Sequence, residues 1–490
     1  MNKERQLQTP FVDALEAYCY EGMVAFHTPG HKLGCGATAY QQGLFGYALR
    51  RDLGLMYALD DLFQPQGPLK EAMELAADLY GAGRTFFSIN GTTACVEAMI
   101  LTVCRPGDEI IIPREAHRCV MEGLILSGAV PVYMRSHFAA KEQVTLGPDL
   151  ASLQAAIAAH PAAKAVLFTY PTYDGVACEL EKMISYSHAH GLYVLVDEAH
   201  GAHLPFHLDL PKEALACGAD MTAQSTHKLA GSITQTSMLH CRRGFPDMER
   251  AASAMALVQS TSPQYWLLAS LDSARQQLAL EGTKRIGRAM ALARQLRDEL
   301  NAIPGIYSFG RNIMKYNGVG GFDETKVTID FSGLDLTGRQ AEVLLRREKI
   351  EVELTAANHV LALITLGDTD ASIAALLRAC RRVAAGQVVR CDRIVTNELP
   401  LPDPQVVLSP RNAWNSSKEI VSIQHALGRI AAETIMFYPP GIPIMAPGEI
   451  VTASCIAYLQ NKVKAGYTPY GAADSTLQTL QVLPRGTEYE

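Results

Sequence analysis

Five short runs in the first half of the chain are dominated by apolar and β-branched residues: RTFFSI (84–89), EIIIP (109–113), AVPVYM (129–134), AVLFTY (165–170) and LYVLVD (192–197). Each is bounded by turn-forming residues, the pattern of strands buried on both faces. Between them, CVEAMILTV (95–103) and ISYSHAHG (184–191) carry apolar residues at helical spacing. NGTTA (90–94) reads as a loop joining the first strand to the first helix. Strands interleaved with helices predict an α/β fold with a mainly parallel sheet covered on both faces.

After Gly282 the pattern changes. TKRIGRAMALARQLRDELNAI (283–303) predicts one long amphipathic helix leading into a smaller α+β domain with KVTIDFSGL, TGRQAEVLLRREKI and VLALITLG. A proline-rich passage, NELPLPDPQVVLSP (397–410), then breaks the pattern before a C-terminal unit that ends near the helix-like ASCIAYLQNKV.

Composition narrows the class. A chain of 490 residues, 48% hydrophobic and 19% charged, has material for a packed interior and for two or three domains. A net charge of -7 argues against nucleic-acid binding, which rests on a basic surface, and is compatible with a cationic substrate. The 11 cysteines are scattered without a CxxC pair, so neither a disulfide framework nor a zinc site is expected. The N-terminal stretch lacks the apolar core of a signal peptide, and no run approaches the roughly 20 apolar residues that cross a bilayer. A cytoplasmic protein with no membrane partner is the expectation.

The chemistry concentrates in four places. STHK puts Lys228 just after the strand-like DMTAQ, where small and apolar neighbours would strip water from the amine and suit it to Schiff-base formation. Alone, such a lysine is more often a loop-edge ion-pair partner. VDEAHGAH puts Asp197 at the carboxyl end of LYVLV, where ligands of open α/β sheets sit. A carboxylate there can keep a pyridine nitrogen protonated, and Ala199 leaves room for a flat ring. A helix cap at Asp197 and a metal pair at His200 and His203 are the competing readings; the pair lacks a third ligand. SINGTTACVEAM reads as strand, turn and helix, an anion cradle at Gly91, Thr92 and Thr93, although an Asn-Gly turn is more often only a helix start. His117, in PREAHR between two strands, could stack on a ring opposite Ala199 or serve as a hydrogen-bonded loop residue.

The order of these parts resembles the fold-type I pyridoxal 5'-phosphate (PLP) enzymes. It is closer still to the Orn/Lys/Arg decarboxylase family, in a short form lacking the N-terminal wing domain. FHTPGHK (26–32), LDDLFQPQGPLKEA (59–72), SINGTTA, YPTYDG (170–175), VDEAHGAHLPF, STHK, SPRNAW (409–414) and YPPGIPIMAPGE (438–449) carry the likeness. It implies a PLP-binding large domain over 51–305, preceded by an interface segment, 1–50, and followed by a small α/β domain, 306–396, and a C-terminal decarboxylase domain, 397–490.

By that resemblance Lys228 carries the cofactor, Asp197 pairs with its pyridine nitrogen, and His117 stacks on its ring. Gly91, Thr92, Thr93, Ser225 and His227 hold its phosphate, and His227 or Lys228 reprotonates the substrate carbon. Glu449, and after it Asp60 and Asp61, are the candidate acceptors for a cationic side chain, with a helix cap the alternative for Glu449. No metal is implied. The implied reaction is decarboxylation of a basic L-amino acid in polyamine biosynthesis: arginine to agmatine first, then lysine or ornithine. The active site would lie at the interface of a homodimer or larger homo-oligomer. His200 stands where longer relatives tend to have tryptophan, which leaves that wall of the pocket open. An aminotransferase would share the PLP core and clamp a carboxylate with Arg346, Arg347 or Arg378. A non-catalytic paralogue would have lost Lys228 or Asp197, and both are present.

Overall fold

A computed structural model describes residues 3–390, 401–438 and 441–486. The expected boundary at 396/397, the first four residues of the proline-rich passage (397–400), and the two prolines at 439 and 440 lie outside the described residues. The chain divides into two compact units: Met1–Thr102 with Leu195–Ile286, and Val103–Val194 with Gly287–Glu490.

The principal strands are β1 (Arg84–Ser88), β2 (Glu109–Pro113), β3 (Val130–Met134), β4 (Ala165–Thr169), β5 (Tyr193–Asp197), β6 (Met221–Gln224) and β7 (Ser237–Cys241). The five runs read from the sequence thus become strands, with ends displaced by one residue at most.

In the first unit β7 runs antiparallel to both β1 and β6, with Ser237 opposite Ser88 and Leu239 opposite Ala223. β6 runs parallel to β5, with Ala223 opposite Asp197. β1, β5 and β6 therefore point the same way, and their carboxyl ends share one edge with the amino end of β7. The segments that leave this edge carry the candidate chemistry. The N-terminal helix Pro10–Tyr20 is anchored by Arg275, which is fully buried and donates to the carbonyls of Gln6 and Gln8 and to Asp272. Asp272 in turn accepts the Phe11 N–H, so the guanidinium is buried with partners rather than as an isolated charge.

In the second unit β2 is parallel to β3 and β4, with Ile110 facing Pro131 and Ala165. An antiparallel sheet of Lys326–Asp330, Leu354–Thr355 and His359–Leu363 packs Val327, Ile329 and Val360 into one core with Leu345 and Leu377 of the helices Gly338–Arg347 and Asp370–Ala385. A separate core around Ile435, Ile444, Leu459 and Val482 organises the C-terminal part.

Two sequence readings are corrected. NGTTA is not a loop: the helix Gly91–Val103 begins inside it, with Thr92 and Thr93 in its first turn. Gly91 takes φ +74° to start the helix directly from the strand end, a conformation glycine adopts without strain. The long helix does not begin after Gly282 but runs from Tyr265 to Asn301. Gly282 lies inside it because a Cβ there would meet the Phe206 ring at 2.8 Å, so close packing and not termination accounts for the residue.

Candidate active site

Lys228 lies in the short helix Thr226–Leu229 that follows β6, and its side chain is partly buried. Its Nζ is 2.9 Å from Nε2 of His200, a buried residue three positions beyond the end of β5. His227, beside it, is held by a 2.7 Å hydrogen bond from Nδ1 to the Thr236 carbonyl, which puts the proton on Nδ1 and leaves Nε2 with its lone pair. Burial holds the imidazole below its usual pKa, and the charge of Lys228 adds to that.

Three buried hydroxyls meet beside the lysine turn. Thr92 Oγ1, in the first turn of Gly91–Val103, hydrogen-bonds Ser225 Oγ at the end of β6 and lies 2.9 Å from Ser237 Oγ at the start of β7. The three residues are 8%, 2% and 0% exposed, so their protons are removed from water and aimed at one another. A Cβ built on Gly91 would meet nothing within 4 Å, so open space adjoins the amino end of this 13-residue helix. Hydroxyl donors at a helix N-terminus beside open space suit an anion such as a phosphate. Thr93 belongs to the same turn and is exposed. Ser237 was not anticipated; its only sequence signal is a small polar residue at the start of the short run SMLHC.

Asp197 ends β5 and is 5% exposed, and its Oδ1 accepts the Ala199 N–H at 3.1 Å, so it caps its own turn rather than a helix. Burial raises its pKa, against the opposing charge of Lys228 and the Ala199 N–H. A buried carboxylate of this kind gains most from a cationic or N–H partner.

Behind it Glu198 is fully buried and accepts from the Ala214 N–H, Thr222 Oγ1 and Gln224 Nε2. Because Gln224 spends its amide N–H there, its Oε1 must accept from His240 Nε2, and His240 Nδ1 then accepts from Thr85 Oγ1. This file of hydrogen bonds crosses β6, β7 and β1 and fixes His240 as a neutral imidazole, with its pKa pushed down to about 3 by burial. Burial, reinforced by the nearby Glu213, pushes the Glu198 carboxyl up to about 8.

The acidic residues expected at the substrate have other work in this geometry. Asp60 accepts backbone N–H groups of Asp61, Gln66, Gly67 and Lys70, and Asp61 accepts that of Phe63. They shape the loop that enters the helix Pro68–Tyr80. Glu449, 4% exposed, is gripped by both terminal nitrogens of Arg114 at 2.6 and 3.1 Å and also accepts Tyr133 Oη and the Ala446 N–H. It caps no helix, since the next one starts at Ala453 and is capped by Thr452. His117, in the same unit as Glu449, caps the helix Arg118–Ser127, its Nδ1 accepting the Cys119 N–H. Arg346 pairs on the surface with Glu351. Among the described residues no helix is long and apolar enough to cross a membrane.

The profile of the Orn/Lys/Arg decarboxylase major domain matches residues 9–372, and that of the family's C-terminal domain matches residues 394–468. An arginine decarboxylase of Bacillus anthracis is 40% identical over 486 residues, 99% of each chain. Lysine decarboxylase LdcA of Pseudomonas aeruginosa is 26% identical over 93% of this chain and 76% of its own. The solved lysine decarboxylase LdcF of Francisella novicida superposes with a TM-score of 0.84 at 21% identity, over 98% of this chain and 81% of that one. At that identity the likeness is one of fold, and the fold is the fold-type I architecture with its large, mostly parallel sheet. The profile covers the site-bearing segments from Asp60 through Lys228, and the match continues into the segment that holds Glu449. The chain belongs to the Orn/Lys/Arg decarboxylase family and is a decarboxylase.

Proposed function

We propose that this enzyme decarboxylates arginine to agmatine with PLP carried on Lys228. The observation that carries the cofactor reading is the convergence, at one sheet edge, of a lysine amine, a buried carboxylate and three buried hydroxyls at a helix N-terminus. These match, in kind, the three polar features of PLP: an aldehyde, a pyridine nitrogen and a phosphate. The substrate reading is supported by 40% identity to an arginine decarboxylase across the whole chain, against 26% to a lysine decarboxylase.

In this reading Thr92, Ser225 and Ser237 turn their hydroxyl protons from one another to the phosphate, with Gly91 leaving space for it. Asp197 holds a proton at the pyridine nitrogen, for which its burial suits it, since a buried carboxylate gains from an N–H partner. Bound there, PLP supplies an electron sink for the pair released when the Cα–carboxylate bond breaks. His227, with Nε2 unprotonated and next to Lys228 in the chain, would first take a proton given up by the substrate ammonium and then deliver it to the substrate carbon in place of the lost carboxylate. His117 is assigned to the ring face by family resemblance. Glu449, Asp60 and Asp61 are left out of substrate recognition, because each already spends its carboxylate on the contacts described above.

Lysine and ornithine are the alternative substrates, and polyamine synthesis is the corresponding role. A homodimer or larger homo-oligomer is supported by the apolar side chains exposed between residues 20 and 57, among them Val24 (81%), Phe26 (92%) and Tyr57 (105%). A reducing, cytoplasmic setting is supported by the 11 cysteines, scattered along the sequence without a CxxC pair.

The test is to measure carbon dioxide release from arginine, lysine and ornithine, recording the visible spectrum, with Lys228→Ala as control. A yellow protein acting chiefly on arginine, colourless and inactive as the variant, is expected. A yellow protein that prefers lysine or ornithine would reassign the substrate. A protein that stays colourless when PLP is supplied would overturn the cofactor reading.

A further inference from the structure

Lys228 Nζ and His200 Nε2 face each other at 2.9 Å, and the imidazole is 5% exposed. An ammonium can only donate, so Nε2 must accept and the neutral ring carries its proton on Nδ1. The contact joins the segment leaving β5 to the one leaving β6, whose parallel pairing places Asp197 opposite Ala223 and brings both segments off one edge. The titratable groups that act on the lysine from these segments are Asp197, His200 and His227. Asp197 spends Oδ1 on the Ala199 N–H, and His227 spends Nδ1 on the Thr236 carbonyl. The second carboxylate oxygen of Asp197 and Nε2 of His227 remain acceptors, and the contact of 2.9 Å with the amine is made by Nε2 of His200.

A lysine that must bond to an aldehyde carbon has first to give up a proton. In a partly closed site that proton needs an acceptor within hydrogen-bond reach, about 2.6–3.2 Å. We propose that His200 is this acceptor: a catalytic base that takes the proton from Lys228 as the lysine bonds to its cofactor, and holds the amine in place while it is unbonded. The inference rests on the PLP reading above. One ammonium proton passes from Nζ to Nε2, and the freed electron pair forms the C–N bond to the aldehyde carbon. The carbonyl oxygen takes up the remaining proton on nitrogen that is lost, and leaves as water when His200 returns the first.

The test follows cofactor attachment and needs no substrate. The full-length apoprotein is mixed with pyridoxal 5'-phosphate, and the rate of appearance of the visible band is recorded from pH 5.5 to 9. Borohydride reduction and peptide mapping then verify that the adduct is on Lys228. The native rate should rise with pH as the imidazole becomes neutral and then level off, because from that point upward a neutral imidazole serves an ammonium. His200→Gln keeps an acceptor for the hydrogen bond but cannot take the proton. Its rate should be at least about tenfold lower at pH 7.5 and should keep climbing with pH as free amine accumulates. His200→Phe, which removes the acceptor as well, should be slower still.

A Gln variant with the native rate and the native plateau would overturn the proposal. So would a histidine-range limb that survives in that variant, since the limb would then belong to a neighbour such as His227. The Gln variant decides the matter even if the Phe variant does not fold. If the native protein itself forms no adduct on Lys228, the cofactor reading fails and the proposal fails with it; native attachment with an unaffected variant sinks the His200 role alone.

Discussion

Replacing Glu449 by alanine separates a structural carboxylate from a substrate-reading one. In the native fold Arg114 holds Glu449 through a two-pronged contact of 2.6 and 3.1 Å and also donates to the Ile444 carbonyl at 2.6 Å. Both residues are under a tenth exposed, so water cannot replace what the substitution removes. Arg114 would be left with one carbonyl partner, and Tyr133 Oη and the Ala446 N–H would lose the acceptor they share. Breaking one side of a buried pair costs about 3–5 kcal/mol, most of it for the stranded charge. In a unit of this size that corresponds to a melting point lower by roughly 5–8 °C. Urea unfolding can be followed by Trp414 fluorescence in a Trp266→Phe background, because these are the two tryptophans of the chain and Trp414 belongs to the unit containing the pair. The double variant Arg114→Met/Glu449→Leu should recover most of the loss, since it strands no charge. A Glu449→Ala protein with native stability and greatly reduced decarboxylation would refute this reasoning and return Glu449 to the substrate.

Two other expectations concern the first unit. Glu198 titrates at about 8 in the fold against an ordinary 4.5, so the native state binds its proton more tightly than the unfolded chain. Its contribution to stability is fully present below pH 4.5, declines as the pH rises and levels off above about 8. At about 1.4 kcal/mol per pH unit the span is at most roughly 5 kcal/mol; Glu198→Gln should flatten the curve, and urea midpoints that fall in parallel from pH 5 to 9 in both proteins would contradict this. Thr92→Val keeps the size of a side chain in the hydroxyl cluster but removes its donor, and should weaken PLP affinity by about 10- to 100-fold, as expected for one hydrogen bond to a charged group; unchanged affinity in an absorbance titration would remove Thr92 from the phosphate site.

The apolar runs of β1 to β5 were legible in the sequence because a strand buried on both faces has almost no freedom in residue type. Lys228 and Asp197 drew attention for a related reason: Asp197 closes such a run and Lys228 follows the next strand, at the edge where an α/β sheet exposes its ligand-binding side. Side-chain partnership was not legible. Glu449 read as an acceptor for a cationic side chain or as a helix cap because Arg114 lies 335 positions away, and only folding supplies it with a guanidinium. Asp60 and Asp61 looked equally available until the loop wrapped its own N–H groups around them. Gly282 read as a helix boundary because one-dimensional pattern reports flexibility but not the Phe206 ring packed against it. His200 and Ser237 gained their significance from strand pairing: β5 beside β6 sets an imidazole against the lysine, and β7 beside β1 and β6 brings a third hydroxyl to Thr92 and Ser225. Local pattern determined which segments are strands and where the reactive residues leave them; long-range pairing decided which of those residues meet, because a hydrogen bond depends on distances of a few tenths of an ångström that spacing along the chain does not encode.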